Sequence, residues 1–548
     1  MHDLFVHWRK AGLLLVLLLA GCGGGGDSKN GSGTGSAGAE ASTDTLSFTA
    51  ASPNASTPAA QVVSVTFGSN IAHLAVTQRG LAIGNVSSTF SGRTAEVTIT
   101  PDAPSSVGPG LFEGKVAVTG YVCADATCSA FAAGASQTIS VSYQVSPGVL
   151  YVAPYVASSQ TAQAVIIRGF GFTKFNVTKV SFGSAASETA VVTDDSEIIA
   201  QAPALAAGSY PVTVEASNHV GVIPSDARLV VVDPIAYAAQ TLSYPATPTQ
   251  INSLVYDPER RSILVASDAS GSQLVRFTYD AGAWSSANSA AISPLRDIAL
   301  SITGSQLYTL SDTQLTMLDP ATLASGSNFT APDLPSGAYL KSLALSNTNT
   351  AYITTGVAPV GTATPAYAFS ERAGSILVLN TTPLNYATIE GNASGTTLVA
   401  VQGDPGSTTA SPVYLHSTSD LGTSLTPTSV NLDQTAAESA LDRTGNRIVL
   451  GGSRVYEGTL NVSASIPVAD AVAVKPDGTR VYAYYSASNT IETFDTSTFT
   501  NGQILTTLGT TNLSANPGAT VKMTITPDAQ TLILAGAAQI VIQPTPSF

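Results

Sequence analysis

The sequence predicts an all-β protein in which two β-sandwiches precede a seven-bladed β-propeller. Three observations lead to this fold class. Only 11% of the 548 residues are charged and 47 are glycine, a composition typical of β-rich extracellular chains. Short segments that alternate apolar and polar residues recur between clusters of Gly, Pro and Ser. In the C-terminal part of the chain these segments repeat with a period of about 45 residues.

The clearest repeat lies in residues 475–499. Residues 475–478 (KPDG) form a turn signal, residues 480–485 are rich in Tyr and Val, and residues 490–495 alternate in polarity. An isolated hairpin of this size is only marginally stable in water. The repeat is therefore expected to be one part of a larger sheet assembly.

The same unit occurs seven times, which predicts seven blades within residues 235–548. The apolar residues that anchor the repeats are Ile263, Leu307, Ala351, Leu398, Ile448, Val481 and Leu532. Counting back four residues gives the turn positions Glu259, Thr303, Asn347, Ser394, Thr444, Asp477 and Asp528. The last repeat offers only three strands, so residues 235–244 are expected to supply its fourth strand and to close the ring.

Two segments of the sixth repeat carry a family resemblance. KPDGTRVYAYY (residues 475–485) and NTIETFDTST (residues 489–498) resemble the bacterial YVTN-type seven-bladed propellers. This resemblance implies the same fold as the period, and it does not imply a ligand.

The N-terminus predicts export and lipid attachment. Residues 7–10 (HWRK) supply a basic flank, residues 11–19 are apolar, and residues 19–22 (LAGC) provide a small-residue cleavage site. The apolar run is too short to span a bilayer, so residues 1–22 are interpreted as a signal peptide. LAGC also resembles a bacterial lipobox, which implies lipidation of Cys22, with Gly23 favouring the outer membrane of the cell envelope. Residues 23–44, rich in Gly and Ser, are expected to form a flexible linker.

The first sandwich is predicted over residues 45–146. Alternating segments at 62–67, 95–100, 115–123 and 138–145 indicate an antiparallel, Ig-like arrangement. With Cys22 lipidated, Cys123 and Cys128 remain as a pair, and outside the cytoplasm a local disulfide is the leading interpretation. A zinc site would need two further ligands, and His73 alone is too few.

The second sandwich is predicted over residues 149–233. AVIIRGFGF (residues 164–172), VSFG (residues 180–183) and GSYPVTV (residues 208–214) resemble an IPT/TIG immunoglobulin-like domain. The glycines at 169 and 171 suit a bulge or tight bend, and Phe172 and Phe182 are candidate core residues. The resemblance implies a spacer, a receptor segment or a polymer-binding module.

The residue inventory favours binding over catalysis. Only His416 among five histidines falls in the propeller, and no metal-binding or phosphate-binding motif occurs, so no catalytic residue, metal or cofactor is expected. The net charge of -14 argues against nucleic acid, because the chain has no basic stripe to displace counterions.

The strongest candidate site is the mouth of the propeller channel, where each innermost strand begins. Positions six or seven residues before each turn hold a mixture of polar and charged side chains: Asn252, Arg296, Asp297, Lys341, Thr388, Glu438, Asp470 and Lys522. In one interpretation Asp297 and Glu438 accept, and Lys341, Arg296 and Lys522 donate, hydrogen bonds to a polar ligand or protein loop. In the other, these charges pair with one another and with water.

The expected function is a non-enzymatic lipoprotein of the envelope that is attached to the membrane through Cys22. It would bind a protein or glycan partner through its propeller, with the Ig-like domains as spacers. A hydrolase or lyase that uses Asp297 and Glu438 is an alternative from another class, and a structural scaffold is a third.

Overall fold

The structure is a computed structural model of the whole chain. It describes residues 38–548, except 220, 270–273, 289–291, 293, 358–363, 372–373, 380–385, 403–410, 418–425 and 433–438. The described chain is almost entirely β, which confirms the predicted fold class. No helix in these described ranges is long and apolar enough to cross a membrane.

The described chain divides into two compact units. The first contains the residues up to Leu46 together with Ala60–Thr100 and Gly114–Val141. The second contains Ser47–Ala59, Pro101–Glu113 and Ser142–Phe548.

Eight strands and one short helix lie in the region of the first predicted sandwich. They are β1 (Ala39–Ala41), β2 (Thr45–Ala50), β3 (Gln61–Phe67), β4 (His73–Gly80), β5 (Asn85–Ser91), β6 (Thr94–Thr100), α1 (Pro104–Val107), β7 (Gly110–Cys123) and β8 (Phe131–Val145). The strand orders of the two four-stranded sheets are β1-β3-β6-β5 and β2-β8-β7-β4. Alternate residues of β3 and β6 are buried, as the period-2 pattern requires.

Strand β1 corrects one predicted boundary. Its residues fall inside the segment 23–44 that the sequence assigns to a flexible linker, but they pair antiparallel with β3, with Ala41 opposite Val65. The edge of the sheet supplies hydrogen-bond partners that composition alone does not reveal.

The next ten strands form two sheets over the region that resembles an IPT/TIG domain. They are β9 (Gly148–Ala153), β10 (Val156–Ser158), β11 (Gln163–Phe170), β12 (Val177–Phe182), β13 (Ala185–Ala186), β14 (Ala190–Asp194), β15 (Glu197–Ala202), β16 (Gly208–Ala216), β17 (Val222–Ile223) and β18 (Arg228–Val232). One sheet has the order β10-β18-β16-β12-β13, with β17 on β16, and the other has β14-β15-β11-β9. The predicted bulge lies between Arg168 and Gly169, and Phe172 and Phe182 are fully buried.

The propeller begins with β19, and blades 1 to 3 follow. The strands are β19 (Gln240–Leu242), β20 (Ile251–Asp257), β21 (Ser262–Ser267), β22 (Leu274–Asp280), β23 (Ala283–Asn288), β24 (Asp297–Leu300), β25 (Leu307–Leu310), β26 (Gln314–Leu318), β27 (Ser325–Thr330), β28 (Ala338–Leu345), β29 (Thr350–Val357), β30 (Ala366–Ser370) and β31 (Ser375–Leu379). Blades 1, 2 and 3 are the sheets β20–β23, β24–β27 and β28–β31, each in chain order.

Blades 4 to 7 complete the ring. Their strands are β32 (Ala387–Gly391), β33 (Thr397–Gln402), β34 (Ser411–Ser417), β35 (Thr426–Leu432), β36 (Ala440–Leu441), β37 (Arg447–Leu450), β38 (Arg454–Glu457), β39 (Ser463–Ser465), β40 (Ala471–Val474), β41 (Arg480–Tyr485), β42 (Thr490–Asp495), β43 (Gln503–Ile504), β44 (Thr507–Asn512), β45 (Lys522–Ile525), β46 (Thr531–Ala535) and β47 (Ile540–Pro544). Blade 4 is β32–β35, blade 5 is β36–β39 with β43 added in parallel, and blade 6 is β40-β41-β42-β44.

Blade 7 has the order β45-β46-β47-β19. Its outermost strand therefore comes from the start of the propeller, with Thr241 opposite Val541. This confirms the expected closure by residues 235–244. The ring also closes on the inside, because the first strand of every blade lies beside the first strand of the next and β45 lies beside β20.

One apolar layer lies between each two neighbouring blades. Between blades 2 and 3, for example, Tyr308 and Leu315 pack against Ile353 and Phe369. Equivalent layers join the other neighbouring blades. The sheets therefore bury both faces, and polar functional groups are left to the inner edges, the exposed outer strands and the two ends of the ring.

The turn of blade 3 corrects the predicted repeat. In blade 2, Leu300 at the end of the first strand pairs with Leu307, whereas in blade 3 Leu345 pairs with Ala351. The turn of blade 3 is thus one residue shorter. The position equivalent to Thr303 is therefore Thr348, and the prediction of Asn347 is wrong by one residue.

Candidate functional site

The starts of the first strands lie together around the channel, at the end of the ring opposite the turns that join first and second strands. We call this the strand-start end. Because of the shorter turn in blade 3, Ser342 and not Lys341 is the residue equivalent to Asp297. Lys341 lies one position earlier, where the pairing of β28 with β29 shifts register between Leu340 and Leu343. A register shift of this kind redirects a side chain, which brings Lys341 into the same region.

Asp297 joins blade 2 to blade 3. Its Oδ2 accepts hydrogen bonds from Ser342 Oγ and from the backbone N–H of Leu343, both at 2.9 Å. Its Oδ1 accepts from the N–H of Ile298 at 2.8 Å. Burial raises the pKa of Asp297, and the hydrogen bonds from Leu343, Ser253 and Ser342 oppose that rise. The carboxylate is thus largely occupied by contacts between blades.

Serines at two ring positions make the same kind of contact without a charge. Ser253 Oγ donates to the carbonyl of Ile298 in the next blade at 3.3 Å. Ser342 Oγ, whose proton goes to Asp297, accepts a hydrogen bond from the backbone N–H of Ile389 in the next blade, also at 3.3 Å. The ring positions therefore hold neighbouring blades in register.

Lys341 differs from these residues because it is a cation on the inner edge. Its ammonium group donates to the carbonyl of Tyr386 and to Thr388 Oγ1, the latter at 3.5 Å. Burial and, to a smaller extent, the positive charge of Lys522 together lower the pKa of Lys341 to about 8, against an opposing effect of Asp297. The predicted residues Lys341, Thr388, Asp297 and Lys522 are therefore near enough to interact electrostatically.

The other predicted ring residues bind within the propeller. Arg296 Nε contacts Asp312 Oδ1 at 2.7 Å, and its guanidinium lies 4.5 Å from the centre of the Tyr339 ring. Asn252 Nδ2 donates to the carbonyl of Leu295 at 2.7 Å.

Asp470 accepts hydrogen bonds from the N–H and the hydroxyl of Ser486, both at 2.7 Å. These contacts match the interpretation in which the polar residues satisfy one another.

Two predicted site residues, and the histidine of the propeller, cannot be placed in this way. Cys22 and Glu438 lie outside the described residues, so the carboxylate pair Asp297 and Glu438 is not placed. His416 lies on β34, and its side chain is also outside the described part. In the described ranges no group of three or more His, Cys, Asp or Glu side chains is arranged to hold a metal ion.

Cys123 and Cys128 lie at the edge of the first sandwich with their Cα atoms 4.7 Å apart. This separation is within the range that a disulfide spans. Between them, Asp125 accepts hydrogen bonds from Thr127 and Ser129, which lower the pKa of its carboxyl to about 2.

Sequence reasoning missed Ser342 and Tyr386. The signal for Ser342 was present, because counting from Thr348 instead of Asn347 leads directly to it. Tyr386 contributes only its backbone carbonyl to Lys341, and a backbone acceptor leaves no trace in residue type.

Comparisons with known proteins support the second sandwich. Residues 147–230 match the family model of the IPT/TIG domain, which confirms the resemblance seen in the sequence. A comparison with curated proteins gives no match.

Three solved structures illustrate the wider similarity. Kuenenia stuttgartiensis hydrazine synthase is 12% identical, with a TM-score of 0.44 over 56% of this chain and 98% of that chain. A chain of the mitotic checkpoint complex is 11% identical, with a TM-score of 0.42 over 57% and 96%. A structural genomics protein from Bacteroides thetaiotaomicron VPI-5482 is 11% identical, with a TM-score of 0.34 over 73% and 98%. Similarity at this level carries no argument about a ligand or an activity.

Proposed function

We propose that the protein is a non-enzymatic lipoprotein of the cell envelope that binds a protein or glycan partner through its β-propeller, with the Ig-like domains as spacers. The partner contacts the strand-start end of the channel. The observation that carries this proposal is the placement of Lys341. Burying part of an ammonium group destabilises the fold unless its N–H groups donate hydrogen bonds. The inner edge of the blades is also where a propeller can admit a ligand.

The hydrogen bonding of Lys341 supports a binding role. An ammonium group has three donors, and among the described residues Tyr386 and Thr388 accept from it. A partner that offers a carbonyl, hydroxyl or carboxylate oxygen would use the donor that remains. The lowered pKa indicates that burial destabilises the charged form of Lys341. A bound hydrogen-bond acceptor would reduce this destabilisation.

The contacts of Asp297 favour binding over acid–base catalysis. A general acid or base must exchange its proton with a substrate. The carboxylate of Asp297 instead accepts hydrogen bonds from Ser342, Leu343 and Ile298, all of which belong to the ring. The hydrolase or lyase hypothesis therefore has less support than the binding hypothesis.

The proposal includes three finer features of the chain. Cys22 carries the lipid that holds the protein to the membrane, on the outer-membrane side of the envelope. Cys123 and Cys128 form a disulfide. The propeller is of the bacterial YVTN type. Each of these rests on the sequence motifs described above.

Site-specific photo-crosslinking in intact cells tests the binding role. A photoreactive amino acid at Thr388 is placed beside Lys341, and a matched control replaces Asn328, an exposed residue on the outer strand of blade 2. We expect one discrete adduct at position 388 that is lost in Lys341→Met and absent at position 328. Mass spectrometry of the adduct identifies the partner as protein or glycan.

Other outcomes separate the alternatives. Identical adducts at positions 388 and 328, or no adduct at 388, would contradict binding at the strand-start end. Adducts at position 328 alone would favour the scaffold. Turnover of envelope polysaccharides, lactones or peptides that Asp297→Ala abolishes, without loss of folding, would establish the hydrolase or lyase.

Fractionation tests the lipid. Wild-type protein should sediment with membranes and give a mature N-terminal peptide that begins with a lipid-modified Cys22. Cys22→Ser should be released into the soluble fraction. Equal sedimentation of both forms would refute anchoring through Cys22.

A further inference from the structure

The other end of the channel is formed by the turns between the first and second strands of each blade. We call it the turn end. Residues 151–156 of the IPT/TIG domain lie against it. The hydroxyl of Tyr151 donates to the backbone carbonyl of Asn347 in the turn of blade 3. Tyr151 and Ala153 also form a buried apolar cluster with Ile302 in the turn of blade 2.

The following residues reach two further blades. The ring of Tyr155 occupies the space beside Gly304 of blade 2, where a Cβ atom would collide with it. Its hydroxyl lies 3.5 Å from Oδ1 of Asp257 in blade 1. The carbonyl of the next residue, Val156, accepts a hydrogen bond from Arg443 Nη2 of blade 5 at 3.2 Å.

These contacts locate the segment on the axis of the ring. Blades 1 and 5 lie on opposite sides, with blades 6 and 7 between them in one direction and blades 2, 3 and 4 in the other. Tyr155 and Val156 are consecutive, yet they contact blade 1 and blade 5 respectively. The segment also contacts blade 2 through Tyr155 and blade 3 through Tyr151, so contacts from four blades converge on it and place it over the centre of the ring.

The segment is buried as well as central. Tyr151, Ala153, Tyr155 and Val156 are all less than a tenth exposed. On the propeller side, burial lowers the pKa of Arg443 to about 10. Water is thus largely excluded from the domain side of the contact, and Arg443 is partly buried on the propeller side.

From this geometry we infer that residues 151–156, the stopper, close the turn end of the channel, so that the proposed ligand enters only from the strand-start end and terminates inside. The ligand would then be a chain end or the tip of a loop, not a polymer threaded through the ring. The statement about the ligand rests on the proposed function, whereas closure of the turn end does not.

Cysteine labelling tests closure without any ligand. The full chain carrying Cys22→Ser, Cys123→Ser and Cys128→Ser receives one new cysteine and is treated with a bulky PEG-maleimide. Asn347→Cys lies beneath Tyr151, and the polar atoms of the Asn347 side chain have no hydrogen-bond partner among the described residues. Ser305→Cys is the matched control, because Ser305 is an exposed residue of the turn of blade 2.

We expect labelling at position 347 to be slower than at position 305 by about tenfold or more, as for sites that react only after local opening. Adding Tyr151→Ala and Tyr155→Ala should bring the two rates close together. Equal rates without those two substitutions would overturn closure. This first comparison needs no disruptive substitution, so it stands even if the double variant unfolds.

Crosslinking separates failure of this inference from failure of the proposed function. In a second variant, a photoreactive residue replaces Asn347 and reports the turn end. The variant with the photoreactive residue at Thr388, described above, reports the strand-start end. Adducts at 388 alone agree with a ligand that terminates inside. The same partner at both positions would overturn closure and leave the binding role intact. A protected Asn347→Cys with no adduct at 388 would keep closure and remove the binding role.

Discussion

Different kinds of contact line the two ends of the propeller channel. At the strand-start end, side chains of the ring itself, such as Asp297, Ser342 and Lys341, bond to the neighbouring blade. At the turn end, two tyrosines of another domain pack on the turns. One end therefore keeps polar groups beside the channel, whereas the other is filled by aromatic and backbone contacts. This difference supports the proposal that a partner contacts only the strand-start end of the ring.

The largest effect on this comparison should come from Tyr155→Ala. The substitution removes a buried aromatic ring that packs on Gly304, and truncations of this kind typically cost about 3 to 5 kcal/mol. The midpoint of urea unfolding should fall accordingly. Trp284 of blade 1, which packs against Tyr279 of the same blade and against Tyr237 before β19, provides the fluorescence signal for the propeller.

Tyr155→Phe is the matched control. It keeps the ring and removes only the hydroxyl, whose distance of 3.5 Å from Asp257 marks a weak hydrogen bond. It should cost less than about 1 kcal/mol. If the two variants lost equal stability, the hydroxyl and not the ring would hold the stopper in place.

Asp297→Ala should have the next largest effect, at the opposite end. The N–H of Leu343 would lose its acceptor, and an unsatisfied buried donor costs about 1 to 3 kcal/mol. The hydroxyl of Ser342 can turn to the carbonyl of Ile389, which lies 3.3 Å away. Asp297→Asn should cost less, because an amide oxygen can still accept and burial already disfavours the charged form. Thermal unfolding measures both variants.

Asp312→Ala is the control for that experiment. Asp312 is 40% exposed and pairs with Arg296, so its loss should cost less than about 1 kcal/mol. A loss as large as that of Asp297→Ala would show that surface charge, and not the contact between blades, supports this end.

Most of the fold was predictable because it depends on patterns that the sequence repeats. The turn signal before Val481 and the alternation after it recur in every blade, and the closure by residues 235–244 followed from a blade that lacked one strand. The IPT/TIG domain was predictable because its bulge and its buried phenylalanines are fixed by local residue types.

The candidate site was less predictable because it depends on single-residue offsets and on backbone atoms. The turn of blade 3 is one residue shorter than that of blade 2. Ser342 therefore occupies the ring position at which the sequence predicted Lys341. The contact between Tyr155 and Gly304 joins residues that are far apart in the chain, and neither residue type signals a partner. Alternation predicts which side chains are buried within a blade, but it does not reveal what packs on the end of a ring.

A change of pH should have a smaller effect on stability, through the protonation of Lys341. Its pKa is about 8 in the folded protein and about 10.4 in an unfolded chain. Between these values the unfolded chain binds more protons, so the stability of the wild type should rise with pH over this window. Below about pH 8 both states are protonated, and the cost of the buried charge is fully present.

Lys341→Met provides the reference for this prediction. From pH 7 to pH 10, the unfolding free energy of the wild type should increase relative to that of the variant by about 1 kcal/mol or more. One pKa unit corresponds to about 1.4 kcal/mol. Partial exposure of Lys341 keeps the shift below its full value. A difference that stays constant across this range would place the ammonium group in water.

The smallest effect should come from the ion pair beside the stopper. Arg228 Nη2 lies 2.9 Å from Oε1 of Glu259, which joins the IPT/TIG domain to blade 1, and the two side chains are 37% and 22% exposed. Pairs at such exposure contribute about 0.5 kcal/mol and weaken as salt rises. Glu259→Gln should therefore lower the midpoint of urea unfolding slightly at low salt and not at all at high salt. Glu215→Gln, which breaks the more exposed pair with Lys179 inside the IPT/TIG domain, serves as the control and should change it less. A loss for Glu259→Gln as large as that for Tyr155→Ala would mean that charge holds the turn end. The contrast between a polar end and an aromatic end would then fail, because both ends would depend on ionic groups.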